Sequence, residues 1–187
     1  MHELSRLTTN KLATGVLGNW RVSGILRYAS GTPIPVPASQ GNLNSLVFQG
    51  TRMNRVAGQP LYLVNLNCGC IDPNKQLVLN PKAWQDVPNG QWGVSAPYYN
   101  DFRYARTPSE QLSLARTFRV RERASLEVRA EFFNVFNRLI YPNPSASNPL
   151  QSTTVNAQGV YTGGFGYINA STVGGERTGQ LVARIQF

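Results

Sequence analysis

The last eleven residues read Arg177-Thr-Gly-Gln-Leu-Val-Ala-Arg-Ile-Gln-Phe187, and their side chains alternate in character. One set is apolar: Leu181, Ala183, Ile185 and Phe187. The other set is mostly polar: Thr178, Gln180, Val182, Arg184 and Gln186. Because successive side chains of a β-strand point to opposite faces of a sheet, the segment predicts a strand with one apolar and one polar face.

Three further segments, 20–30, 111–120 and 124–136, show the same period of two, and a weaker fifth strand is predicted near 4–17. The stretch from Trp20 to Tyr28 has about the length that a tilted strand needs to cross a bilayer, roughly 9–11 residues. An amphipathic helix is the competing interpretation of 124–136. Helical spacing from Leu126 would bring Arg129 and Asn137 into the apolar stripe, so the strand is favoured.

The alternation predicts an antiparallel transmembrane β-barrel sheet, in which apolar side chains face lipid and polar ones face the lumen. The predicted lipid-facing residues are Trp20, Val22, Leu26, Tyr28, Leu126, Val128, Phe132 and Ile185. The predicted lumen-facing residues are Arg21, Arg27, Arg119, Glu127, Arg129, Glu131 and Arg184. Arg116 breaks the pattern, because it falls among apolar residues.

The connections between these strands are unequal. The link 121–123 is short, whereas 32–106 and 138–176 are long and rich in Pro, Asn and Gly. Outer-membrane barrels alternate short periplasmic turns with long extracellular loops. We therefore expect the two long segments to be extracellular loops, and Gly163-Gly-Phe-Gly166 to be a flexible part of one of them.

Composition excludes several classes of function. The net charge is +9, but the basic residues are spread singly, so nucleic-acid binding is not expected. The chain has one histidine, His2, and therefore no convincing base for a nucleophilic enzyme. Cys68 and Cys70 lack partners for a zinc site, so no metal or other cofactor is expected. We predict that they form a disulfide in an oxidising compartment, with two free thiols as the alternative.

Several motifs resemble the C-terminal region of TonB-dependent outer-membrane receptors, in the Oar-like branch that carries a carboxypeptidase-regulatory-like domain. The stretch from Leu126 to Asn137, Leu-Glu-Val-Arg-Ala-Glu-Phe-Phe-Asn-Val-Phe-Asn, is similar to that family's "RLEFRAEFFNLFN". Gly18-Asn-Trp-Arg-Val-Ser-Gly24 with Ser30-Gly-Thr-Pro33 resembles its "W.VSGI…SGTP" segment, and Leu79-Asn-Pro-Lys-Ala-Trp84 resembles its "LNPAAF" motif. Phe165-Gly-Tyr-Ile168 and the last eleven residues resemble its closing segment.

The resemblance implies a role in import of a bulky, scarce ligand across the bacterial outer membrane. Such receptors have about 22 strands around an N-terminal plug, so the chain is interpreted as about five strands of a C-terminal barrel segment without plug or signal peptide. The implied partners are outer-membrane lipid and lipopolysaccharide, the barrel-assembly machinery, and the plug and TonB of the parent receptor. Phe187 would be the assembly signal.

A secreted β-sandwich that binds carbohydrate is the alternative. Trp20, Trp84 and Trp92 could stack on sugars in such a protein. Detergent dependence distinguishes the two interpretations, because a sandwich would be soluble without detergent.

Overall fold

The computed structural model describes residues 18–45, 47–121 and 124–187 and is all-β. Its strands are β1 (Trp20–Arg27), β2 (Pro33–Pro35), β3 (Asn54–Arg55), β4 (Trp84–Gln85), β5 (Tyr98–Arg103), β6 (Ser109–Arg121), β7 (Ala124–Phe133), β8 (Thr154–Val155), β9 (Tyr161–Gly163) and β10 (Thr178–Gln186). Short 3-10 turns lie at Pro81–Ala83 and Ala170–Thr172. No helix in the described ranges is long and apolar enough to cross a membrane.

The chain divides into two compact units. The sheet unit comprises, among the described residues, 18–28, 108–121, 124–138 and 175–187. The loop unit comprises Ala29–Thr107 and Leu139–Gly174. The long segments of the sequence thus form a unit of their own.

The four long strands form one antiparallel sheet in the order β1-β6-β7-β10. Chain order and spatial order agree, so each strand pairs with the next long strand of the sequence. All four strands were predicted from the period of two, and the antiparallel all-β prediction is confirmed. The predicted strand near 4–17 lies outside the described residues.

Two of the predicted strands are shorter than expected. β1 ends at Arg27, so Tyr28 has no pairing partner that fixes its face. β7 ends at Phe133 because Asn134 adopts a positive φ of 49°, which a strand cannot continue. The Asn134 amide then closes the turn by donating to the Arg138 carbonyl and accepting from the Arg138 N–H at 3.0 Å.

The loop unit has a hydrophobic core, although its strands are short. β2 pairs with β5, β3 with β4, and β8 with β9. The core residues are Ile34, Val36, Met53, Leu61, Leu66, Ile71, Val78, Leu79, Ala83, Trp84, Phe102, Phe165 and Ile168. Trp84 packs against Phe102 with ring centroids 5.1 Å apart. Burial of these side chains provides the main stabilisation of the unit.

One sequence-based expectation about this unit is wrong, and one feature of the carbohydrate-binding alternative is lost. The segment 163–166 is not a flexible loop, because Phe165 is buried and Gly166 lies against Leu79, where a Cβ would come within 2.4 Å of the Leu79 nitrogen. Trp84 is also buried, so its ring cannot stack on a sugar.

Candidate functional site: a two-faced sheet and a cleft in the loop unit

The strand register places the predicted apolar and polar side chains on opposite faces of the sheet. Directly paired residues of antiparallel strands share a face. The apolar face carries Trp20, Val22, Gly24 and Leu26 of β1; Leu112, Leu114 and Phe118 of β6; Leu126, Val128, Ala130 and Phe132 of β7; and Gly179, Leu181, Ala183 and Ile185 of β10. Glu110 and Arg116 are its charged members.

The apolar face is exposed to a degree unusual for a water-soluble protein. Val22 is 64% exposed, Leu26 66% and Leu181 82%. Contiguous exposed apolar side chains mark a surface that contacts a membrane or a protein partner.

Arg116 on this face lies beside two aromatic rings. Its guanidinium carbon is 5.2 Å from the ring centroid of Trp20 and 4.8 Å from that of Phe118. A guanidinium at such a distance is attracted by the ring quadrupole. These two rings therefore accommodate the charge of Arg116, the residue that breaks the sequence pattern.

The opposite face carries all seven of the charged residues predicted for the lumen. Glu127, Arg129 and Glu131 form a row along β7, with Arg129 3.8 Å from Glu127 and 3.3 Å from Glu131. Arg21 of β1 reaches over the small Ala115 of β6 to Glu127 at 3.1 Å. The remaining three lie in register with polar partners: Arg27 with Ser109, Arg119 with Ser125, and Arg184 with Glu127.

Other polar contacts also bridge neighbouring strands on this face. The hydroxyls of Ser23 and Ser113 lie 2.7 Å apart, and the Gln180 side-chain amide donates to Glu131. These contacts join β1 to β6 and β7 to β10. The face also contains Ile25, Phe133 and Val182, so it is mostly rather than wholly polar.

Glu110 is a buried carboxylate that the sequence did not reveal. Its side chain is 1% exposed, and Arg138 donates to its Oε1 at 2.9 Å. The Val135 N–H donates to the Glu110 backbone carbonyl at 3.1 Å. The contacts of Glu110 with Arg138 and Val135 hold the turn that follows β7 against the start of β6. Partners 28 residues apart leave no local pattern from which this contact could be read.

The loop unit contains a cleft of about 600 Å³. Its lining residues include Tyr62, Asn65, Asn67, Asn100, Asp101, Arg103, Tyr104 and Arg106. The Tyr62 hydroxyl donates to the Arg103 carbonyl at 2.7 Å and accepts from the Arg103 N–H, which fixes the backbone of β5 at the cleft wall.

The carboxylate that lines the cleft, Asp101, is paired with an arginine. Arg55 donates to both oxygens of Asp101, at 3.1 Å and 2.7 Å. The hydrogen bonds from Arg55 hold the pKa of the Asp101 carboxyl below its ordinary value. Partial burial raises the pKa of the Tyr104 hydroxyl, so this group is a neutral donor at physiological pH. Sequence reasoning missed this cleft, because its lining comes from three stretches, 30–31, 62–67 and 100–106, that lie more than thirty residues apart.

The comparison with protein families agrees with the two-faced sheet. A model of the outer membrane beta barrel domain family matches residues 2–180. The chain belongs to this family. The protein is accordingly an outer-membrane β-barrel protein, located in the bacterial outer membrane. Comparisons with curated proteins and with solved structures found no match.

Cys68 and Cys70 form a disulfide, with their Cα atoms 5.1 Å apart. The predicted pairing is thus the one present in the loop unit. Among the residues that the structure describes, no group of three or more His, Cys, Asp or Glu could hold a metal ion.

Proposed function

We propose that the chain is the C-terminal part of the barrel of a TonB-dependent outer-membrane receptor, in which the apolar sheet face contacts lipid and the charged face lines the lumen. The observation that carries the proposal is the division of four strands into an apolar and a mostly polar face, in a member of the outer-membrane barrel family. In a bilayer only a closed barrel satisfies the backbone hydrogen bonds of such strands.

The ion-pair row supports the assignment of the polar face to the lumen. Arg21, Glu127, Arg129 and Glu131 compensate one another's charges across β1 and β7. Moving these charges into hydrocarbon would cost several kcal/mol, whereas a water-filled or plug-filled lumen keeps them solvated or paired.

The loop unit would form the outward-facing part that meets the ligand. Two long segments with one shared core give a preformed surface rather than two mobile loops. In this proposal a bulky, scarce ligand binds there and is imported with energy relayed by TonB to a plug elsewhere in the receptor. The specific resemblance to TonB-dependent receptors rests on the sequence motifs.

The DNA upstream of Met1 tests the proposal. We expect an in-frame reading frame that encodes further barrel strands and an N-terminal plug. Ligand uptake by cells that produce the whole receptor should require TonB. An upstream frame without a plug, or uptake that is unchanged in cells lacking TonB, would contradict the receptor assignment while leaving the barrel family intact.

The carbohydrate-binding sandwich loses support. Trp84 is in the loop-unit core, and Trp92, although exposed, packs edge-on against Phe48 at 5.5 Å. Trp20 lies on the apolar face beside Arg116. The three tryptophans therefore do not form one stacking platform.

A further inference from the structure

We propose that the cleft of the loop unit binds an anionic sugar, meaning a saccharide that carries a carboxylate or phosphate group. The inference deepens the proposed function and rests on it, because it names the class of ligand that the outward-facing unit would recognise. The cleft volume of about 600 Å³ lies within the range of small-molecule sites.

The cleft lining carries more positive than negative charge. Two arginines, Arg103 and Arg106, line the cleft together with one carboxylate, Asp101. Arg55 already compensates that carboxylate through both of its oxygens, and the Arg55 guanidinium is held 4.9 Å from the Tyr99 ring centroid. The positive charges of the two cleft arginines are therefore left without a carboxylate partner among the described residues, which favours an anion.

The cleft also offers hydrogen-bond donors from the side chains of Asn65 and Asn67. The Asn65 side-chain oxygen accepts from the Asn67 N–H at 2.9 Å, and the Asn67 side-chain oxygen accepts from the Arg106 N–H at 2.9 Å. Both acceptors are thus used locally, whereas the two NH₂ groups donate no hydrogen bond to the described residues. A cleft with spare donors recognises a ligand rich in acceptors, as sugar hydroxyls and acid groups are.

Arg106 and Tyr104 provide the specific contacts. Arg103 is anchored, donating from Nη1 to the Gly31 carbonyl at 2.9 Å and from Nε to the Asn100 carbonyl at 3.0 Å. The Arg106 guanidinium has no hydrogen bond or ion pair with the described residues, so its N–H groups are available for a carboxylate or phosphate. Tyr104 offers a half-buried ring and a hydroxyl without a partner in the described chain.

Saturation-transfer NMR on the whole barrel protein in detergent tests the inference, because it observes the ligand and tolerates large particles. The probes are digalacturonate, galactose 6-phosphate and the neutral disaccharide galactobiose. We expect saturation transfer to at least one anionic probe and none to galactobiose. Arg106→Gln should weaken anionic binding about tenfold or more, since it removes charge-assisted hydrogen bonds. Arg106→Lys should restore part of it.

Arg52→Gln is the matched control, since Arg52 is an exposed loop-unit arginine outside the cleft. It should leave binding unchanged. Equal protease resistance of the loop unit in all variants would show that each one folds. No transfer to either anionic probe, or equal binding by wild type and Arg106→Gln, would overturn the inference. If the whole protein binds an anionic probe but ligand uptake does not depend on TonB, the proposed function is overturned and the inference about the cleft stands.

Discussion

At the scale of single residues, the sheet assigns opposite surroundings to neighbours in the sequence. Val128 and Arg129 are adjacent in β7, yet the register puts Val128 beside Arg116 and Ala183 and puts Arg129 beside Ala115 and Val182. The consequence of a substitution therefore depends on which face it changes, more than on its size.

The pair Val128→Arg and Arg129→Val tests this difference. A charge on the lipid face near mid-bilayer costs about 2–4 kcal/mol, whereas changes on a lumen face are better tolerated. We expect Val128→Arg to reduce the folded, heat-modifiable fraction on gels strongly in the whole barrel protein, and Arg129→Val to reduce it little. Equal folded fractions for the two variants would contradict the assignment of faces.

In the loop unit, Asp101 predicts a pH dependence. Hydrogen bonding from Arg55 lowers the pKa of Asp101 below its ordinary value of 3.8. The resulting stabilisation is present above pH 3.8 and is lost as the pH falls through the lower pKa of the folded state. Asp101→Asn should thus make the loop unit more sensitive to pepsin at pH 4 than wild type, and the difference should vanish at lower pH. A difference that grows as the pH falls would have the wrong sign.

At the scale of elements, regular strands were predictable and the loop unit was not. Each long strand can be recognised from its own residues. Apolar and polar side chains alternate within a single segment of eight or more residues, such as Trp20–Arg27. The core of the loop unit joins Ile34, Met53, Phe102 and Phe165, which are far apart and follow no period. The buried pair of Glu110 and Arg138 was hidden for the same reason.

The end of β10 carries a prediction about assembly. Phe187 directly follows β10 and is almost fully exposed. An aromatic is favoured at the membrane interface, where a charge would be solvated poorly beside lipid. Phe187→Asp should lower the amount of the barrel protein in the outer membrane while synthesis continues, as measured by fractionation against periplasmic aggregates. Gln186→Asn is a mild control in the same strand. Unchanged outer-membrane levels of Phe187→Asp would show that Phe187 is not the assembly signal.

At the scale of the whole molecule, the described sheet is open. β1 and β10 are its edges among the described residues, and each has one side without a strand partner there. Unpaired backbone groups cannot be satisfied in hydrocarbon, and closure of a barrel takes about eight strands or more. The four strands of the described sheet therefore cannot close a barrel by themselves.

The chain of 187 residues produced alone should accordingly associate into large particles. We expect inclusion bodies on expression and a broad distribution in detergent by size-exclusion chromatography with light scattering. Co-production with the remaining strands of the parent barrel should narrow that distribution. A sharp monomer peak without detergent would contradict the barrel account and favour a soluble sandwich.

Fluorescence quenching along β7 measures whether the apolar face meets lipid. Single cysteines are placed at positions 126, 128 and 130, and separately at 127, 129 and 131, in the whole barrel protein with Cys68 and Cys70 bonded. Each is labelled with a fluorophore and reconstituted in bilayers that contain a lipid-bound quencher. We expect strong quenching at the even positions and weak quenching at the odd ones. Equal quenching at both sets, or the reverse order, would contradict it.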